Sequence, residues 1–428
     1  MLRNKVNKYT IKLKEYKFLN FELPKSIRVI QMKSKLPTIP SEKEDMKKEI
    51  YKALDNSEGY SLKEAVDLSR PIVIIIDDHT RQTPVLPAIE ILYEKLQQIG
   101  VKNEQIYILT SNGTHRKMKK EELYTRIGNL LDTITVVQHN CYEEENLFLS
   151  GYIDGIPVIL NKLLQQAGSI IGIGSIMAHK FSGWSGGGKI ICPGVTGYKT
   201  IFLSHRKAIV EEQIIPGMRN NWFRSFIDKV SKSAGLKYVI NYVSGINGMF
   251  SVLAGEPDAV LNKGIKIAEE NLINRFENRV DIAIISAFPS TMDLWQSGKG
   301  FYLGDMIVKD GGTIILVTPL DEGLGDHPDF MSILDMDSYQ IKNLLNQNLI
   351  ADPLAAVAGY AVRNITDRCN LRIISTNLDF QNIRILGHEI TNDIQKVINE
   401  SLTQDTSDVA LLNDIYILPK YKSKEGLK

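Results

Sequence analysis

The chain has little cysteine and no excess of either charge. Its three cysteines, Cys141, Cys192 and Cys369, stand far apart in 428 residues. Such an odd, scattered set provides neither a disulfide framework nor a CxxC metal knuckle. Lys and Arg number 51 against 50 Asp and Glu, a net charge of +1. That balance argues against nucleic acid or a membrane surface as the main partner. No apolar run reaches membrane-spanning length, and the opening MLRNKVNKYT lacks the apolar centre of a signal peptide. A cytoplasmic location is the expectation. There is no HExxH motif, so a hydrolytic zinc site built from protein ligands alone is not expected. Short-period repeats and low-complexity tracts are missing too.

The rest of the composition is that of a soluble globular protein, 43% hydrophobic and 24% charged. The length implies at least two domains. YTIKLKEYKFLNFELP alternates apolar and charged residues and predicts an opening hairpin. SEKEDMKKEIYKALDN predicts a solvated helix. PIVIII, QIYILT, TITVV and SIIGIGSI then read as buried strands, with PAIEILYEKLQQ and KEELYTRI as helices between them. That alternation predicts an α/β fold with mostly parallel sheets. The pattern restarts after the long helix EPDAVLNKGIKIAEENLINRF, with strands VDIAIISA, GTIILVTPL, LRIIST and DIYILP. The expected division is an N-terminal α/β domain, 1–272, and a smaller C-terminal α/β domain, 273–403, closing an active-site cleft between them. The tail from about 404 to 428 is expected to pack back on the first domain.

In such sheets ligands bind beyond the carboxyl ends of the strands. The loops DDHTRQTP, SNGTHRKM and MAHKFSGWSGGGK all follow predicted strands. The stretch HKFSGWSGGGKIICPGVTG, residues 179–197, holds six glycines. Glycine at that density lets backbone approach something closely, often a phosphate. Gly183-x4-Gly188-Lys189 fits the opening of a P-loop, but Ile190 stands where Ser or Thr would hold magnesium. A nucleotide-binding enzyme is therefore the weaker alternative. Lys189, between glycines and the apolar run IICP, is expected to be desolvated, its amine made nucleophilic by a lowered pKa.

Of seven histidines, His115, His179 and His205 stand out. The first lies on a post-strand loop; the other two flank Lys189. Imidazole titrates near neutrality and suits acid/base work, or ligates nickel, zinc or copper. A metal on one histidine needs a cofactor to complete its ligands. Arg81 can grip a carboxylate two-pronged, with Asp78 orienting it or accepting a substrate hydroxyl. Trp295, Gln296 and Lys299 are candidates from the second domain.

Together DDHTRQTP, NGTHRKM, HKFSGWSGGGKIICPG, His205, AGEPDAV and FPSTMDLWQSGKG resemble the nickel-dependent lactate racemase family, over about residues 70 to 325. The resemblance implies a racemase or epimerase of a 2-hydroxy acid. It implies a nickel pincer nucleotide, Ni(II) pyridinium-3-thioamide-5-thiocarboxylic acid mononucleotide, joined to Lys189 and ligated by His205. Gly186, Gly187 and Gly188 would let backbone approach it. His115 and His179 match the acid/base pair. Arg81, with Asp78 in its loop, matches the substrate-binding arginine; Gln296 and Lys299 match two further substrate contacts. The implied partners are the small-molecule substrate and cofactor-maturation proteins, with a nickel-cofactor carrier lacking turnover as another alternative. The chain departs from the family at Trp295, where tyrosine is common, and at ADPLAAVAGYA, where a DQW-type stretch is usual. Both fall near the expected substrate pocket, so the resemblance implies the substrate class more firmly than lactate itself.

Overall fold

Ile72–Asp77 is an almost wholly apolar strand, and its isoleucines and valine are buried on both faces. Such a strand needs covered sheet on either side. It lies near the middle of a seven-stranded sheet in the computed structural model, which describes residues 6–37, 39–40, 43–212, 214–246, 248–327, 329–347 and 349–422. The strand order is Ile39–Pro40, Gly248–Gly255, Leu236–Gly245, Ser169–Ile176, Ile72–Asp77, Ile106–Ser111, Thr135–Gln138. The last five run parallel. From Ile72–Asp77 the chain moves outward to Ile106–Ser111 and Thr135–Gln138. It then returns to the other side of Ile72–Asp77 and moves outward again. Connections leaving Ile72–Asp77 and Ser169–Ile176 therefore depart in opposite directions. This opens a crevice beyond their carboxyl ends.

The chain divides into two compact units, Lys35–Asn271 and Met1–Ser34 with Leu272–Lys428. The second has its own parallel sheet, ordered Asn370–Ile374, Val308–Val317, Val280–Ser286, Asp408–Leu412, Arg28–Met32. Both sheets bear out the α/β class and the mostly parallel strands.

Two assignments to the N-terminal domain need correction. Residues 1–34 belong to the other unit: Arg28–Met32 forms its edge strand, and Ile11, Leu13, Phe21 and Leu23 of the opening hairpin bury against Ile282, Ile284 and the helix Ile394–Ser401. The tail does not pack back on the N-terminal unit either, because Asp408–Leu412 pairs with Val280–Ser286 and Arg28–Met32. Residues 423–428 lie outside the described residues.

The strand expected at DIYILP is also displaced. The Asp414 carboxylate accepts from the backbone N–H of Tyr416 at 2.9 Å and Ile417 at 3.3 Å, making a turn where a ladder was expected. Strand structure resumes at Leu418–Tyr421. The expected long helix covers only Pro257–Leu272; Ile273–Phe276 is a strand paired with Leu418–Tyr421.

Candidate active site

Asp78 is the first residue past the Ile72–Asp77 strand and is 2% exposed. A carboxylate there needs partners. Its Oδ1 accepts from the Thr80 backbone N–H at 3.1 Å and hydroxyl at 2.6 Å. Its Oδ2 lies 2.5 Å from His115 Nδ1. Arg81 Nη1 donates to Thr80 Oγ1 at 3.0 Å. Burial opposes ionisation of Asp78, but His115, Arg81 and Thr80 outweigh it and hold the carboxyl far below its usual range. Two loops that were separate in sequence thus form one charged network.

The loop holding Arg81 is fastened from beneath. Thr83 Oγ1 donates to Asp77 Oδ2 and lies 2.7 Å from Ser175 Oγ. Arg126, at the end of the helix Lys120–Ile127, donates to the carbonyls of Arg81 and Thr83. Sequence reasoning missed Arg126, because a basic residue in a helix's last turn reads as a solvated partner of the helix dipole. Its buried targets lie more than forty positions away in the chain.

His115 sits in a tight loop closed by its own N–H on the Asn112 carbonyl at 2.8 Å and by Asn112 Nδ2 on the Arg116 carbonyl at 2.9 Å. Gly113 N–H donates to the Gly194 carbonyl at 2.9 Å, tying this loop to the end of the glycine stretch.

Beyond Ser169–Ile176, His179 pairs with Gly183 in a short antiparallel ladder. The His179 Nδ1 is approached by the backbone N–H groups of Phe181, at 3.2 Å, and Ser182, at 3.3 Å. Lys189 follows in a single 3-10 turn, Gly187–Ile190. No α-helix starts at this lysine, so the segment does not form the loop-to-helix cradle of a P-loop.

The glycines of this turn are required by the protein's own packing. Gly186 has φ +88°, and a Cβ there would lie 2.4 Å from Ile176 Cγ1. At Gly188 a Cβ would lie 2.3 Å from Ser231 Oγ. Gly187 N–H donates to Asn241 Oδ1 at 2.8 Å. The turn is pinned against sheet and helix, and Lys189 is pinned with it.

Burial, reinforced by the nearby cations Arg81 and Arg224, pulls the Lys189 amine down to about 7. Among the described residues it finds no hydrogen-bond or ion-pair partner. His205, on the helix Tyr198–Arg206, is 7% exposed. Its Nδ1–H donates to the Ile201 carbonyl at 2.8 Å, which leaves the lone pair on Nε2. Burial drives its pKa down to about 4, so the ring stays neutral. Phe181 and Phe223 pack edge-on against it, at 5.5 and 4.9 Å between centroids.

This is the donor set a lysine-linked metal cofactor needs. A neutral amine can be acylated, and a neutral imidazole with a fixed tautomer can ligate. Among the described residues no group of three or more His, Cys, Asp or Glu could hold a metal ion. A metal at His205 would therefore draw its other ligands from the group bound with it. His139, by contrast, is structural: it is 0% exposed, with Nε2 on the Thr196 carbonyl at 3.0 Å and Nδ1 accepting from Asn161 at 3.2 Å.

Trp295, Gln296 and Lys299 lie in the other unit and form a network there. Gln296 is 4% exposed and its Oε1 accepts from Lys299 Nζ at 3.0 Å. Lys299 also donates to Ser290 Oγ at 2.9 Å. Trp295 stacks on His327 at 4.1 Å between centroids, and His327 is held by Asp352 at 2.7 Å. Asp352 belongs to the stretch where the expected DQW-type sequence is missing.

Residues 15–215 match the family model described as the lactate racemase N-terminal domain. A lactate racemase from Lactiplantibacillus plantarum is 29% identical over 301 residues, 67% of this chain and 69% of that protein. Another, from Thermoanaerobacterium thermosaccharolyticum, is 27% identical over 283 residues, 64% and 66% of the two chains. The solved lactate racemase apoprotein from T. thermosaccharolyticum superposes with a TM-score of 0.82 at 22% identity, covering 97% of this chain and 100% of that one. A Thermotoga maritima protein superposes with a TM-score of 0.70 at 18% identity, covering 90% and 100%.

Proposed function

We propose that the chain racemises or epimerises a 2-hydroxy acid, lactate or a close relative; the match of residues 15–215 to the lactate racemase N-terminal domain and the two similar lactate racemases support this reading. The observation that carries the site assignment is Lys189, a buried amine brought down to about 7 near Arg81. We assign to Lys189 and His205 the binding of a nickel pincer nucleotide, which when bound supplies an acceptor that takes and returns the C2 hydrogen as hydride. Gly186, Gly187 and Gly188 serve that binding by fixing the turn on which Lys189 stands. The group would be installed by separate maturation proteins.

Hydride transfer suits this substrate. The C2–H of a 2-hydroxy acid is a very weak acid beside a carboxylate, and removing it as a proton would build a dianion. Removing it with its electron pair, while the hydroxyl gives up its proton, leaves a neutral ketone beside the carboxylate. The chain's own residues then have modest tasks. Arg81 grips the substrate carboxylate through its fork. Asp78 fixes the His115 ring, and Arg126 fixes the backbone beneath Arg81. His115 and His179 act at the C2 oxygen, where well-placed acid/base groups contribute roughly 10²–10⁴-fold.

Racemisation in D₂O by nickel-matured protein tests this chemistry. The inverted product should keep protium at C2. Extensive deuterium at C2 would mean proton abstraction and would end the hydride assignment.

A further inference from the structure

Lys189 and His205 both rest on one helix, Trp222–Ala234, through two successive residues. Phe223 is 0% exposed and meets the His205 ring edge-on, at 4.9 Å between centroids. Arg224 is 6% exposed, and its Nη1 donates to the Gly186 carbonyl at 3.3 Å. A buried guanidinium needs a counter-charge, and Asp228 supplies it one turn along. Arg224 Nε and Nη2 both donate to Asp228 Oδ1, at 3.0 and 2.6 Å. The planar fork is fixed by that pair and presents Nη1 to Gly186. The start of the helix is tied to the same loop. Asn221 caps it by accepting from the Arg224 N–H at 2.7 Å, and its Nδ2 donates to the Ser182 carbonyl at 3.2 Å. Trp184 Nε1 donates to the Gly217 carbonyl at 3.1 Å, and the Gly217 N–H donates to the Gly183 carbonyl at 2.8 Å. A Cβ at Gly183 would lie 1.8 Å from the Met218 carbonyl oxygen. Gly186, Gly187 and Gly188 hold no conformation by themselves, so Lys189 stands where these neighbours put it.

Resting on the assignment of Lys189 and His205 to the nickel pincer nucleotide, we propose that Arg224, held by Asp228, is a positioning residue for Lys189. It fixes the glycine turn through the Gly186 carbonyl while its neighbour Phe223 fixes the His205 ring, so one helix sets the spacing of the two groups. Arg224 also acts on the Lys189 amine through space. Burial is the chief reason that this amine is neutral; Arg81 and Arg224 add to it, and Asp77 and Cys192 oppose it. Asp228 therefore has two effects. It seats the guanidinium, and its charge offsets part of the field that Arg224 casts on Lys189. Removing the cation and removing its counter-charge must then move the Lys189 amine in opposite directions. A residue that only held up the fold would behave otherwise. Losing it would admit water to the turn and shift the amine upward, towards an ordinary lysine, in either variant.

The test uses full-length protein and three variants: Arg224→Met, Arg224→Lys and Asp228→Asn. The midpoint of Lys189 labelling by an amine-directed electrophile is followed against pH by peptide mass spectrometry. Arg224→Met should raise that midpoint by about one pH unit, and Asp228→Asn, which keeps an acceptor oxygen without the charge, should lower it. A rise in Asp228→Asn, or no change in it, would overturn the proposal; this variant decides alone should Arg224→Met fail to fold. Arg224→Lys keeps the cation but loses the fork. Its midpoint should stay near that of the wild type, while the rate at which nickel maturation adds mass to Lys189 should fall roughly tenfold. An undiminished rate would overturn the positioning role. Wild type that gains no mass at Lys189 on maturation would sink the cofactor assignment instead, and the labelling midpoints would still decide whether Arg224 and Asp228 act on this amine.

Discussion

At the scale of single residues, the chemistry turns on environments that the sequence only partly displays. Lys189 was legible as a desolvated amine because glycines precede it and an apolar run follows. Its value near 7 makes it reactive at neutral pH. Its labelling by an amine-directed electrophile, followed by peptide mass spectrometry, should rise through a midpoint near pH 7, whereas ordinary surface lysines rise about three units higher. A midpoint shared with surface lysines would contradict the burial seen here. Asp78 was expected to orient Arg81, and the two are linked here through the Thr80 hydroxyl. That it holds His115 was not expected, because the two meet only when loops after neighbouring strands fold together. Asp78→Asn can donate where Asp78 accepts, so it should move the His115 proton to Nε2. Activity should fall roughly 10³–10⁴-fold with little change in thermal stability. Retained activity would remove Asp78 from the base's support.

At the scale of elements, the strands of the Lys35–Asn271 sheet were readable from apolar runs, since buried parallel strands carry few other residues. Among the elements of that unit that went unread are Leu147–Ile153 with Ile156–Asn161, Leu236–Gly245 with Gly248–Gly255, and Trp222–Ala234. The first turns through Asp154-Gly155, a usable hairpin signal. The helix mixes polar and aromatic residues, and only tertiary packing shows which face is buried. Arg126 belongs to this scale because it acts on a loop's backbone. Arg126→Met should leave the carbonyls of Arg81 and Thr83 without this donor and cost about 3 kcal/mol of stability. Surviving enzyme should show KM raised more than kcat is lowered; unchanged KM would mean the loop does not need this clamp.

The buried histidines set the acid side of stability. Burial lowers His139 and His205 to about 4. Folding therefore excludes protons that the unfolded chain binds below about 6.5. Stability should be intact above that value and fall as pH drops from 6.5 towards 4, by roughly 2 kcal/mol per histidine at pH 5. Chemical unfolding at pH 7 and pH 5 reads this directly, and His139→Gln should remove part of the slope. An unaltered slope in that variant would contradict the assignment for His139.

At the scale of the whole molecule, the sequence showed two α/β grammars in succession but hid where the ends of the chain go. Nothing local in Arg28–Met32 says that its neighbour is Asp408–Leu412, some 380 positions on. Parallel pairing over that separation is a tertiary fact. Removing residues 1–34 should strip an edge strand and uncover the core that the hairpin covers. Hydrogen exchange should then speed up in 408–412 and stay slow in 72–77. Slow exchange in both segments would contradict the pairing. Among the described residues, no helix is long and apolar enough to cross a membrane.

The most direct measurement is chiral chromatography of single enantiomers of a 2-hydroxy-acid panel, from lactate to malate and phenyllactate, incubated with nickel-matured protein and with Lys189→Ala. Inversion of at least one acid by the wild type, abolished in the variant together with the mass of a Lys189 adduct, is the predicted result. No inversion of any acid by protein whose adduct and nickel are confirmed would contradict the assignment of this site to 2-hydroxy-acid racemisation.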